Sequence, residues 1–219
     1  MSSPRHSSAL AVAVVTGSHP YDVRGFQRLL RSIPGADCYP QHLEDFVESD
    51  QQARAWDVVL FYMMPEPEPP RGNGGWEARI GPALEALGTT QQGIFVLHHA
   101  ILAYWDWPFW SGIVGIPNRH LRGEHGYHAG QQVRVHIADP AHPITRGLAP
   151  WMLVDETYEM DEPGADSQVL LTTDHPQSMR AVGWARGFKE ARVFCLELGH
   201  DDRAFADERF REAVSRGLQ

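Results

Sequence analysis

The chain has a single lysine, Lys189, and its 19 basic residues face 28 acidic ones, for a formal net charge of −9. Phosphate backbones and anionic membranes are held by clustered cations, so neither nucleic acid nor a membrane surface is an expected partner. Cysteine is nearly missing. Cys38 and Cys195 are too few for a disulfide scaffold, and both fall in strand-like runs, as expected of reduced core residues in a cytoplasmic protein. No apolar run approaches a bilayer span, and the stretch 9–15 is too short to be one. The glycine fingerprints of nucleotide sites are missing as well: Gly72, Gly74 and Gly75 lie in a proline loop with no lysine after them.

Histidine, at 12, and tryptophan, at 7, are plentiful, and many lie between Trp76 and His142. A length of 219 residues suits one α/β domain with long functional loops. The run 9–15 reads as a first strand that breaks at Gly17-Ser18-His19-Pro20. A helix over 23–32 follows, with Phe26, Leu29 and Leu30 on one face. Further strands are expected at 36–40 and 56–62. Between 65 and 75, proline and glycine are too dense for helix or central strand. That loop leaves the end of the third strand, so it is placed to lie over whatever crevice the strand ends form. A helix over 76–87 leads into Gly93–Ala100, GIFVLHHA.

This last stretch organises the rest. Four apolar residues suit a strand buried on both faces, and they run straight into His98 and His99. In open α/β sheets, ligands bind in the crevice beyond the carboxyl ends of the strands, which makes His98 a candidate for chemistry. His99 should point the other way and serve structure. The regular pattern then stops over 99–130, a stretch too aromatic for disorder and read as a packed lid or pocket wall. Strands are expected at 131–137, 152–160, 168–172, 180–184 and 192–196, and a closing helix at 207–217. Strand–helix units come first and strands alone later, so the fold class is α/β: a mostly parallel sheet with added antiparallel strands.

Several segments together resemble the ThuA-like trehalose-utilisation family: GIFVLHHA, HPITRGL at 142–148, VDETY at 154–158 and RVFCLELGHDD at 192–202, in that order. The resemblance spans nearly the whole chain and implies one domain over 1–219 with a flavodoxin-like, class I glutamine amidotransferase-like fold. In that scaffold a cysteine follows the strand corresponding to 93–97, and a histidine follows a late strand. Here the first place is held by His98 and the second by His200, so the scaffold is implied without glutamine hydrolysis, which needs a thiolate. The family's setting implies a sugar substrate.

The expected site therefore combines His98, His200 and Glu156 as proton-moving residues on a keto-sugar or 3-keto-glycoside, which they would isomerise or cleave. Asp201 or Asp202 is placed to orient His200. Glu156 and Asp155 are strand neighbours and face opposite sides, one toward solvent, while Glu156 and Tyr158 share a face. Substrate contacts are expected from Tyr158, Trp105, Trp107, His19, His125 and Trp184, the tryptophans as stacking walls for sugar rings. His142 reads as a turn residue. The spacing of His120, His125 and His128 matches no metal signature, so no ligand set is assigned and no cofactor is certain. A divalent ion such as zinc remains open. The alternative is a non-catalytic, carbohydrate- or partner-binding member on the same scaffold. Assembly as a homo-oligomer is compatible with either.

Overall fold

The protein, seen here as a computed structural model, is described over residues 9–48, 55–65, 67–70, 74–123 and 126–219. Its strands in chain order are β1 (Leu10–Gly17), β2 (Ala36–His42), β3 (Val58–Met63), β4 (Gly93–Leu97), β5 (Tyr127–Ile137), β6 (Trp151–Tyr158), β7 (Gln168–Thr172), β8 (Ala181–Phe188) and β9 (Ala191–Leu196). Among the described residues they form one sheet in the order β2-β1-β3-β4-β9-β8-β7-β5-β6. The first five in that order pair in parallel, and the rest join antiparallel. The expected α/β architecture is therefore present, with β9, a late strand, inserted beside β4.

Alternation along the central strands divides the core into two layers. Ala13, Val15, Val59, Phe61, Ile94, Val96, Val193 and Cys195 face one side. Val12, Val14, Leu60, Phe95, Leu97, Phe194 and Leu196 face the other. Helices cover both faces, which explains why these strands read as continuous apolar runs. Among the described residues the helices are α1 (Val23–Arg31), α2 (Leu43–Phe46), α3 (Glu77–Glu85), α4 (Pro108–Val114), α5 (Asp202–Phe205) and α6 (Glu208–Leu218). Phe26 and Leu29 of α1, Phe205 of α5 and Phe210 of α6 pack on the second layer. Phe46 of α2, Leu84 of α3 and Trp110 of α4 pack on the first. Asp22 starts α1 by accepting the Gly25 N–H at 2.9 Å, and Asp207 starts α6 by accepting from Arg209 and Phe210.

The stretch 99–130 is more regular than its sequence suggests. His98–Leu102 is a 3-10 turn, and α4 opens with Pro108 in its first turn and stops at Gly115, whose φ is 83°. Strand β5 begins at Tyr127 rather than Gln131, because Tyr127 and His128 pair with Tyr158 and Thr157 before the register shifts ahead of Gln131. Ala129 and Gly130 interrupt the apolar alternation there, which hides the early pairing from a pattern reading. The segment is pinned by Arg119. Its buried guanidinium donates to the carbonyl oxygens of Ile101, Ala103 and Tyr104 and to Ser111 Oγ. Residue 66 and residues 71–73 of the proline-glycine loop lie outside the described residues. The carbonyl of Pro67 accepts the Asp106 N–H at 3.0 Å, so this part of the loop lies against the aromatic segment.

Candidate functional site

The parallel strands β1, β4 and β9 end together, and each sends a histidine beyond its last residue: His19 after β1, His98 after β4 and His200 after β9. His98 has a φ of 52°, a left-handed conformation that costs a non-glycine residue roughly 1–2 kcal/mol and is characteristic of functional sites. A short hydrogen bond between its Nδ1 and the Glu197 carbonyl, 2.6 Å long, holds the ring in place. A carbonyl only accepts, so Nδ1 carries a proton, and in the neutral ring Nε2 presents a lone pair.

That lone pair faces three groups: the Tyr158 hydroxyl at 2.9 Å, His200 Nδ1 at 3.2 Å and Glu156 Oε1 at 3.7 Å. His200 Nδ1 is also 3.6 Å from Glu156 Oε1. Although β6 is last in the pairing order, the Tyr158 N–H donates to Glu197 Oε1 at 2.9 Å. The carboxyl end of β6 thus folds back over β4 and β9 and delivers Glu156 and Tyr158 together, on the shared face their spacing implies. His98 is sealed from solvent and Glu156 nearly so, while the His200 side chain is 30% exposed. The cluster therefore opens on the His200 side.

Charge follows from this packing. Burial works to raise the Glu156 carboxyl, but the His98 and His200 imidazoles outweigh it and hold the group below its ordinary value. Burial, with Glu156 and Glu197 beside it, pushes the Tyr158 phenol well above its ordinary value, so it remains a donor. Behind the cluster, His99 is buried between His19, at a ring distance of 4.4 Å, and Tyr62, at 4.2 Å. Burial drives His99 well below the usual imidazole range, and the His98 and His19 imidazoles push in the same direction. Burial also lowers His19.

The support of His200 differs from expectation. Asp201 accepts from the Arg203 backbone and pairs with its guanidinium, and Asp202 pairs with Arg28. Neither reaches the His200 ring. Asp155 does the positioning instead, accepting the N–H groups of Gly199 at 2.7 Å, His200 at 2.9 Å and Glu156 at 2.9 Å. Nor does either strand carboxylate face solvent: Asp155 is fully buried and Glu156 nearly so, because the β9 turn covers the side of β6 that the alternation leaves open. From the other direction the Tyr62 hydroxyl lies 2.9 Å from the Gly199 carbonyl and 3.1 Å from that of His200. Gly199 has a φ of 119°, and a Cβ there would lie 2.9 Å from the Phe210 ring, so the turn that carries His200 accepts only glycine.

The remaining expected residues lie elsewhere. Trp105 lines a separate cavity of about 540 Å³ together with Asp106, His120, Asn118 and Arg186. Trp107 packs on Tyr104 and Phe109. Trp184 is buried, its indole N–H on the Val114 carbonyl at 2.8 Å. His120 pairs with Asp106 and His128 with Glu159, and His125 lies outside the described residues. His142 accepts the Ile144 N–H within its turn. Asp155, Glu197, Tyr62 and Arg119 are the supporting residues that sequence reasoning missed. The one available signal was that Asp155 and Glu197 are carboxylates inside or just beyond apolar strands.

No helix among the described residues is long and apolar enough to cross a membrane. No curated protein matches the chain by sequence. By structure, the chain is similar to a ThuA-like protein of Parabacteroides merdae, at a TM-score of 0.74 and 18% identity over 96% of this chain and 88% of that one. It is also similar to a cytoplasmic protein of Salmonella typhimurium, at 0.65 and 12% over 95% and 97%. A glutamine amidotransferase of Thermotoga maritima follows the same fold at 0.57 and 10%, over 89% and 76%. The family model described as trehalose utilisation matches residues 54–219. The chain therefore belongs to the ThuA family, a membership that points to a role in sugar metabolism.

Proposed function

We infer that the protein is a cytoplasmic enzyme acting on a keto-sugar or 3-keto-glycoside by acid–base chemistry. The observation that supports this best is the convergence of His98 Nε2, His200 Nδ1 and Glu156 Oε1, at 3.2 to 3.7 Å, beyond the ends of β4 and β9. A ring carbonyl acidifies the C–H bond beside it, and imidazole is suited to take that proton near neutral pH. His200, the most exposed of the three, is the group a substrate meets first. Tyr158, protonated and aimed into the cluster, donates to the carbonyl oxygen. His98 and Glu156 share the proton that His200 receives.

Two outcomes follow from one abstraction. Returning the proton to the neighbouring carbon isomerises the sugar. In a 3-keto-glycoside the electron pair of the C2–H bond can instead form a C1–C2 double bond, as the glycosidic oxygen leaves C1 and takes up a proton. Glutamine hydrolysis is set aside on chemical grounds: the residue after β4 is His98, and Cys195 is buried within β9, far from the reach a nucleophile requires.

The test is incubation with a panel of 3-keto disaccharides in D2O, with NMR following both product and deuterium uptake beside the carbonyl. Turnover that falls by about 10²–10⁴-fold in His200→Ala and Glu156→Gln, with melting temperature held, supports the reading. Neither product nor exchange across the panel overturns it. Thermal stabilisation by sugars without turnover would favour the carbohydrate-binding alternative.

A further inference from the structure

We propose that His98, Glu156 and His200 form a binding site for one divalent cation of the zinc class. The first argument is metric. The three donor atoms stand 3.2, 3.6 and 3.7 Å apart. The centre of such a triangle lies about 2.0 Å from each corner, the bond length zinc makes to imidazole nitrogen and carboxylate oxygen. Tetrahedral zinc, with bonds of about 2.0–2.1 Å, needs edges of about 3.3–3.4 Å, so the triangle suits an ion held just off the plane of its three donors.

The second argument is protonation. Nδ1 of His98 is committed to the Glu197 carbonyl at 2.6 Å, the arrangement by which metal-binding histidines fix their tautomer and orientation. The remaining Nε2 lone pair already has the Tyr158 hydroxyl at 2.9 Å. It cannot also accept a full hydrogen bond from His200 Nδ1 at 3.2 Å. The Tyr158 hydroxyl has Glu156 as a second partner, so it can turn away from Nε2, and both nitrogens then present lone pairs to a cation.

The third argument is preorganisation. Asp155 fixes the His200 backbone and the Glu156 N–H, and the Glu197 carboxyl takes the Tyr158 N–H. All three donors are therefore held from outside the triangle. Among the described residues no other three imidazole, thiol or carboxylate groups converge as closely. The other histidines paired with a carboxylate among the described residues, His120, His128 and His136, each meet one.

Three protein ligands with a fourth position open toward the exposed edge of His200 is the pattern of a catalytic ion rather than a structural one. Metal binding also frees the Tyr158 hydroxyl from the His98 lone pair, so it can donate to an oxygen seated on the open side. An ion there polarises a carbonyl oxygen. This deepens the function proposed above, resting on that reading for the substrate; with the ion bound, His98, Glu156 and His200 serve as its ligands instead of moving the proton themselves.

The test is direct. Purified protein is assayed for metal by mass spectrometry, stripped with a chelator, and titrated with zinc chloride by calorimetry. Cobalt(II) is added in parallel to read the coordination number from its visible absorption. One zinc per chain, and an intense tetrahedral cobalt spectrum, are expected. Affinity should fall by more than about 100-fold in His200→Ala and Glu156→Gln, and stay unchanged in His120→Ala. His200 is partly exposed, so its variant is expected to fold; circular dichroism checks this. Absence of zinc binding, or binding unaffected by both ligand variants, overturns the site. Zinc bound without turnover keeps the site and removes the sugar reading. Turnover undiminished by complete chelation keeps the sugar reading and removes the ion from its chemistry.

Discussion

The Asp155 carboxylate grips His200 by its backbone, accepting that residue's N–H at 2.9 Å and the Gly199 N–H at 2.7 Å. The ring is left free to face His98 and Glu156. An acid next to a histidine in sequence usually suggests a ring partner, but here the two following acids serve a helix start and surface ion pairs. The group that sets the imidazole is 45 residues away in the chain.

Asp155→Asn should therefore disturb the β9 turn before it disturbs anything else. An amide replaces one acceptor oxygen with a donor that faces a backbone N–H, leaving buried groups mispaired. A loss of about 2–4 kcal/mol in urea unfolding is expected. Stability equal to the parent protein would show that the turn does not depend on this carboxylate.

Glu197 makes a prediction about pH. Burial, with the Asp155 charge beside it, holds its carboxyl well above the ordinary 4.5. Only Oε1 has a partner, while Oε2 is buried without one. The folded protein thus keeps a proton that the unfolded chain releases above pH 4.5. Stability must then fall as pH rises from there toward the raised native value, with a slope of up to about 1.4 kcal/mol per pH unit. Glu197→Gln cannot ionise and should remove this component. Melting curves of the variant and parent should agree near pH 4 and diverge, variant higher, by pH 7. Parallel curves across that window would refute it.

Arg119 is buried with no carboxylate in contact among the described residues, and burial lowers its guanidinium to about 10. Its partners are Ser111 Oγ and three backbone carbonyls around the turn that follows His98. Arg119→Met should leave those oxygens unpaired, at a loss of about 3–5 kcal/mol. Lysine should restore only part of this, because it lacks the planar fork. Guanidinium denaturation of the three proteins tests the ordering.

Both thiols should be inert in the folded state. Burial pushes Cys38 up to about 11, with Asp37 adding to the effect, and raises Cys195 further. Thiolates are the reactive form, so iodoacetamide at pH 8 should label neither within minutes on native protein and both after unfolding. Rapid native labelling of Cys195, read by mass spectrometry, would contradict its placement inside β9.

Much of the fold is legible before any coordinates. The apolar runs at β1, β3, β4 and β9 are continuous because helices cover both faces, and such runs have few alternatives to a central strand. Asp22 and Asp207 mark helix starts through a local hydrogen bond, which sequence spacing captures. The pairing of His98 with His200 was also foreseeable, since ligands gather beyond parallel strand ends and both residues sit there.

What sequence could not supply is the direction each remaining side chain takes once distant segments meet. Strand alternation put Asp155 and Glu156 on opposite faces, but not that the β9 turn would bury the first and the imidazole cluster the second. Trp105 and Trp107 carry the composition of a sugar-binding wall, yet the Arg119 anchor and the α4 turn aim them elsewhere. Local chemistry determined which strands and caps would form, because those interactions span a few residues. The site was decided by contacts between β1, β4, β6 and β9, whose separation along the chain leaves no local trace.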